Sequence, residues 1–112
     1  MFVNKKDLIR INQEIGEEGI FINESSLDFA LDVAKQKKAW LYELSYIIRS
    51  LLTDHAFKNG NKRTSLILVA LYLEEKSFFY DNQLLVKAIQ RITVKCVKNP
   101  KMIAGLIKNV IR

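Results

Sequence analysis

Residues 66–73 read LILVALYL, eight consecutive apolar side chains, and whether they form a strand or a helix decides the fold. A run of that length suits either a buried strand or a buried helix. Three features favour the helix. Asn61 can cap it, Glu74, Glu75 and Lys76 continue it, and only Ile67 and Val69 carry the β-branching that strands prefer. A helix apolar on every side belongs at the centre of a bundle.

Working upstream, Trp40, Leu44, Ile47 and Leu51 recur at helical spacing, widened by Leu41 and Ile48, and run into Asp54-His55. Before them Leu27, Ala30, Leu31 and Ala34 trace another helix, with Asn23 or Ser25 as cap and the basic stretch 35–38 as its end. Leu8, Ile11 and Ile15 mark a first helix, stopped by Gly16 and Gly19. Residues 19–22 (GIFI) form a short extended piece, too short to build a sheet. Downstream, Phe78-Phe79-Tyr80 is a second such piece. Leu85, Ile89, Ile92 and Cys96 then mark a helix, and Asn99-Pro100 opens the last one, which buries Ile103, Ile107 and Val110. The expectation is an all-α single domain over residues 1–112, about six helices around the central apolar one, with at most a small β flap.

Composition agrees with a packed core: 49% of the 112 residues are hydrophobic, too many for a disordered segment. Four Gly and one Pro suit long helices better than a turn-rich β-sandwich. The single cysteine, Cys96, excludes an intrachain disulfide and a multi-thiolate metal site, and its helical spacing places it in the core. Neither a signal-peptide core nor an apolar run of membrane-spanning length occurs, so a cytoplasmic protein with no membrane partner is expected. The formal charge of +6 favours a polyanion, whether nucleic acid, nucleotide phosphates, anionic lipid or an acidic protein. The positive residues form no long block, so charge alone does not choose.

One segment carries chemistry. Residues 55–64 read HAFKNGNKRT and place the only histidine, a glycine, two Asn and three basic residues between two apolar helices. Unpaired N–H groups and the partial positive charge of a helix start favour phosphate. Gly60 allows a tight turn and close approach to a ligand. Lys62 adds a point charge and Arg63 a forked donor. Asn59 and Asn61 can orient ligand oxygens or hold a cation's water shell. His55, at the other end of the loop, is placed to accept a proton from an attacking hydroxyl. On its own, Lys62-Arg63 at a helix start opposes the dipole, and such local conflicts concentrate at functional sites.

The segment lacks the P-loop pattern GxxxxGK[ST]. It resembles the Fic/Doc family loop, H-x-F-x-[D/E]-[G/A]-N-[G/K]-R, with His55, Phe57, Gly60, Asn61 and Arg63 matching. Lys62, followed by Arg63-Thr64, and Leu66 in place of a second Arg are similar to the death-on-curing (Doc) toxin branch, not to the AMP-transferring one. The resemblance implies ATP as co-substrate with Mg²⁺, and transfer of the γ-phosphate to a Ser or Thr hydroxyl of a protein such as elongation factor Tu or its archaeal equivalent. His55 would be the general base and Phe57 the loop's anchor in the core. Gly60, Asn61, Lys62 and Arg63 would hold phosphates.

Two positions depart from the pattern. Asn59 stands where the family often has an acidic Mg²⁺ ligand, which removes a negative charge from a hard-cation site. Ala56 stands where AMP-transferring members usually carry Pro. The family's self-inhibitory S/T-x-x-x-E-G/N string is missing; Glu18-Gly19 comes nearest, with Glu14 at the hydroxyl position. Restraint is therefore expected from a separate antitoxin. By the same resemblance residues 19–22 correspond to a flap that aligns a target segment. The alternatives are an AMP transferase, a catalytically inactive antitoxin-binding relative, or a helical nucleic-acid-binding module. The last ranks lower because no helix shows a basic face interleaved with stacking aromatics.

Overall fold

The computed structural model describes residues 3–36 and 39–112. They form six helices: α1 (Lys5–Glu14), α2 (Glu24–Ala34), α3 (Trp40–Leu52), α4 (Asn61–Glu75), α5 (Asn82–Val94) and α6 (Pro100–Lys108). The run at 66–73 is helical throughout, as its polar continuation and few β-branched residues predict. Short polar side chains start three of the helices. Asn4, Asp81 and Asn99 each accept a hydrogen bond from a backbone N–H of the first turn, and Pro100 follows Asn99 at the first helical position. The expected end of the second helix at 35–38 falls partly on Lys37 and Lys38, outside the described residues.

Leu8, Leu27, Leu44, Leu68, Leu85 and Ile103, one from each helix, meet in a single core. Its centre is shared. α3 packs on α2, α4, α5 and α6, whereas α4 packs on α1, α3 and α5. Leu71 of α4 reaches solvent, and Leu66 and Ile67 are only half-buried, so the apolar run exceeds what the core absorbs.

Two short pairings tie the ends together. Phe21 bridges Phe57 and Tyr80 bridges Ile111, both antiparallel; no strand forms among the described residues. Both extended pieces legible in the sequence therefore exist, each as one bridge. No helix among the described residues is long and apolar enough to cross a membrane.

Two local expectations change. α4 begins one residue earlier in role: Gly60 is its cap, in the left-handed region at φ +80°, and Asn61 is the first helical residue. Cys96 is exposed, because α5 ends at Val94 and the chain turns left-handed at Cys96, φ +49°. The apolar spacing that placed it in the core outlived the helix.

Candidate active site

The loop between α3 and α4 is shaped from both ends. At the end of α3, Thr53 and Asp54 donate their N–H groups to Arg49 O, and Ala56 donates to Ser50 O. This reversal forces His55 to φ +51°, a conformation that costs a non-glycine residue about 1–2 kcal/mol. Such strain persists where the surroundings over-determine it. Here Ala56 O accepts from both Ile22 N and Asn23 N. The Asn23 side chain donates to Asp54 O, and the Ser26 hydroxyl lies 2.7 Å from Asp54 Oδ2.

Phe57 is fully buried and stacks on Phe21, with ring centroids 4.5 Å apart. Its backbone is held twice. Lys58 N donates to Ile20 O on the Phe21 side. On the other side the Asn61 side chain donates from Nδ2 to Phe57 O at 2.9 Å and accepts from Phe57 N at 3.1 Å. Asn61 therefore acts as a substitute strand edge, and what it can present to a ligand is its backbone N–H.

Gly60 has no freedom to be anything else. A Cβ there would lie 2.7 Å from Glu17 Cγ and 3.0 Å from Asn12 Nδ2, besides the cost of φ +80°. Asn12 is the residue that sequence reading missed. It is buried, donates to Asn59 O (2.9 Å) and Thr64 Oγ1 (3.2 Å), and accepts from Gly19 N (2.9 Å). One side chain of α1 thus joins the loop, α4 and the extended piece. Its signal was present: with Leu8 and Ile15 it sits on one helical face, a polar residue in an apolar stripe.

Three N–H groups at the start of α4, those of Asn61, Lys62 and Arg63, have no backbone acceptor among the described residues; the helical ladder begins with Thr64 N to Gly60 O. No side chain among the described residues caps this helix, and no acidic residue occupies its first turn. Its N-terminal charge is free for an anion. A cavity of about 360 Å³ opens here, lined by His55, Lys58, Asn59, Gly60, Asn61, Lys62 and Arg63, with Leu52 and Thr93 behind. The side chains of His55, Lys58, Asn59 and Lys62 make no hydrogen bond or ion pair with a described residue. Arg63 Nη1 donates to Ile15 O at the end of α1.

All of the residues singled out from the sequence, except the anchor Phe57, line this one cavity. Lys62 and Arg63 also border a second, apolar cavity of about 230 Å³, walled by Leu66, Val86, Ile89 and Gln90.

The donor set bears on the magnesium implied by the resemblance. The lining of this cavity offers the neutral Asn59 amide oxygen and no carboxylate, since the one carboxylate of the loop, that of Asp54, accepts from Ser26 instead; among the described residues no group of three or more His, Cys, Asp or Glu could hold a metal. These residues fit an ion that arrives on nucleotide phosphates, as Mg²⁺ commonly does, and not one held by protein alone.

Asn12→Ala is expected to destabilise the fold by about 1–3 kcal/mol, since it leaves the buried Thr64 hydroxyl without its Asn12 partner and removes the half-buried bonds to Asn59 O and Gly19 N. Denaturant unfolding measures this. A loss under about 0.5 kcal/mol would mean that water replaces Asn12 without penalty.

Comparison with protein-family models, with curated proteins and with solved structures finds no match.

Proposed function

We propose that the chain is a Doc-like phosphotransferase, the toxin of a toxin–antitoxin pair, which moves the γ-phosphate of ATP to a Ser or Thr hydroxyl of a protein such as a translation elongation factor. The observation that supports this reading is that His55 and the open N-terminus of α4 line one cavity. Phosphate oxygens accept from the N–H groups of Asn61, Lys62 and Arg63, with the Lys62 ammonium beside them. The His55 imidazole takes the hydroxyl proton as the new oxygen–phosphorus bond forms, and the bond to the β-phosphate oxygen breaks to release ADP. Bound Mg²⁺ would neutralise phosphate charge, with Asn59 supplying an oxygen. The apolar cavity beside Lys62 and Arg63 has the character expected for a nucleoside.

Incubation of the protein with a cell lysate, Mg²⁺ and ATP labelled at either the α- or the γ-phosphate tests the reaction. A protein band labelled only from γ-phosphate is the expected result. Label from the α-position assigns AMP transfer instead, and no label from either removes the catalytic reading. Asn59→Asp is expected to label the band several-fold more strongly at low Mg²⁺, because a carboxylate binds a hard cation better than an amide. Equal labelling across a Mg²⁺ titration would show that the ion gains nothing from this position.

A further inference from the structure

The positive side chains are spread along the chain, but the acidic ones are not. Residues 82–112 hold seven Lys or Arg and no Asp or Glu, whereas the preceding 81 residues hold eleven basic and all twelve acidic ones. The whole excess of positive charge therefore lies in the segment that forms α5 and α6.

Folding concentrates it further. Lys87, Arg91 and Lys95 follow each other at four-residue spacing along and just past α5, one stripe about 12 Å long at the helical rise. All three are exposed, and their side chains form no ion pair or hydrogen bond with a described residue. They border a groove between α5 and α6 made of two adjoining cavities, of about 200 and 390 Å³, which share Arg91, Leu106 and Asn109. The floor of the groove is apolar: Leu84, Ala88, Val97 and Leu106, with Met102 projecting at 58% exposure.

Gly105 opens the same groove. It lies inside α6, where glycine costs about 0.5–1 kcal/mol against alanine, and apart from its chain neighbours and its own helix backbone no described residue comes within 4 Å of an added Cβ. Neither packing nor a left-handed turn calls for glycine here; its effect is to leave room on the groove wall.

We infer that the α5–α6 groove docks an acidic, amphipathic segment of a partner protein, carboxylates against the Lys87–Arg91–Lys95 stripe and apolar side chains on the floor beside Gly105. Charge complementarity names the partner's sign, and the apolar floor names its second face. A nucleic acid would meet the charge but leave the floor unmatched, and residues 82–112 contain no aromatic side chain for a base to stack on. This surface is separate from the His55 cavity, and its reading does not depend on the catalytic one.

The test uses three fluorescent probes against the intact protein: an amphipathic Glu/Leu peptide of about 18 residues, or five helical turns, a scrambled peptide of the same composition, and a single-stranded oligonucleotide. Fluorescence anisotropy is expected to show the amphipathic peptide binding at least about tenfold more tightly than the scrambled one. Arg91→Glu with Lys95→Glu should weaken it about tenfold or more, and Lys6→Glu with Arg10→Glu, the same charge change on α1, should not. Gly105→Leu should weaken binding with charge unchanged. Gly105→Ala, read by thermal melting, is expected to raise the melting temperature. Failure of the amphipathic peptide to bind, equal binding by the scrambled peptide, equal loss in the α1 variant, no loss in Gly105→Leu, or displacement of the peptide by the oligonucleotide would each overturn the inference, the last by assigning the groove to nucleic acid.

Discussion

His55→Asn is expected to lower γ-phosphate transfer by about 10²–10⁴-fold, the usual contribution of a positioned proton acceptor, with the fold intact. Asparagine suits this test because it tolerates the left-handed conformation that His55 adopts at φ +51°. His55→Gly separates chemistry from strain. It removes the same imidazole but relieves the backbone, so it should melt no lower than the wild type while remaining inactive. If either variant kept wild-type transfer, the proton would be leaving by another route. If His55→Gly melted well below the wild type, the histidine side chain would be holding the loop, and loss of transfer would say nothing about catalysis.

Phe57→Ala carries the largest expected effect on stability. The ring is fully buried, stacked on Phe21 at 4.5 Å, and sits between two sets of backbone hydrogen bonds that shape the loop. Truncating a buried phenylalanine costs about 3–5 kcal/mol, partly as lost transfer energy and partly as a cavity. A domain of this size has roughly 5–15 kcal/mol in total, so much of the margin disappears. Transfer should fall as well, because the Asn61 side chain would no longer have a fixed backbone to bind. Calorimetry or urea unfolding measures the first effect and labelled ATP the second. A loss near 1 kcal/mol would mean that the surrounding side chains collapse into the space.

The two variants separate the parts of the loop that the sequence made legible from those it did not. The buried helix could be read at 66–73, because its polar continuation is a local property. The chemistry-bearing residues could also be read, because their unlike types occur close together between apolar helices, and the fold collects seven of them around one cavity. What lay beyond reach were contacts between distant segments. Asn61 looked like a cap; its amide instead closes on Phe57, and Gly60 takes the cap position. Nothing local links residues 19–22 to the loop, yet Phe21 pairs with Phe57.

That pairing also bears on the flap that the resemblance suggests. Ile20 O and Ile22 N are already engaged by the loop, to Lys58 N and Ala56 O. One edge of this segment is thus satisfied within the chain, and a target strand would have to use the other.

Asn12 and Cys96 fail in opposite directions. Asn12 was a polar residue on a buried face, and its three hydrogen bonds explain why it is there. Cys96 fitted the apolar spacing of α5 but falls beyond the helix end. Periodicity reports which face a residue would occupy, not whether the helix is still running.

Phosphate transfer in the His55 cavity requires phosphate to bind at the start of α4. Titrating Mg²⁺-ATP into isotopically labelled protein and following backbone amide resonances tests it most directly. Saturable shifts at Asn61, Lys62 and Arg63 are expected, with His55 responding and the same pattern retained in His55→Asn. Shifts confined to Arg91, Lys95 and their neighbours in the α5–α6 groove, or no change at the loop up to millimolar nucleotide, would contradict it.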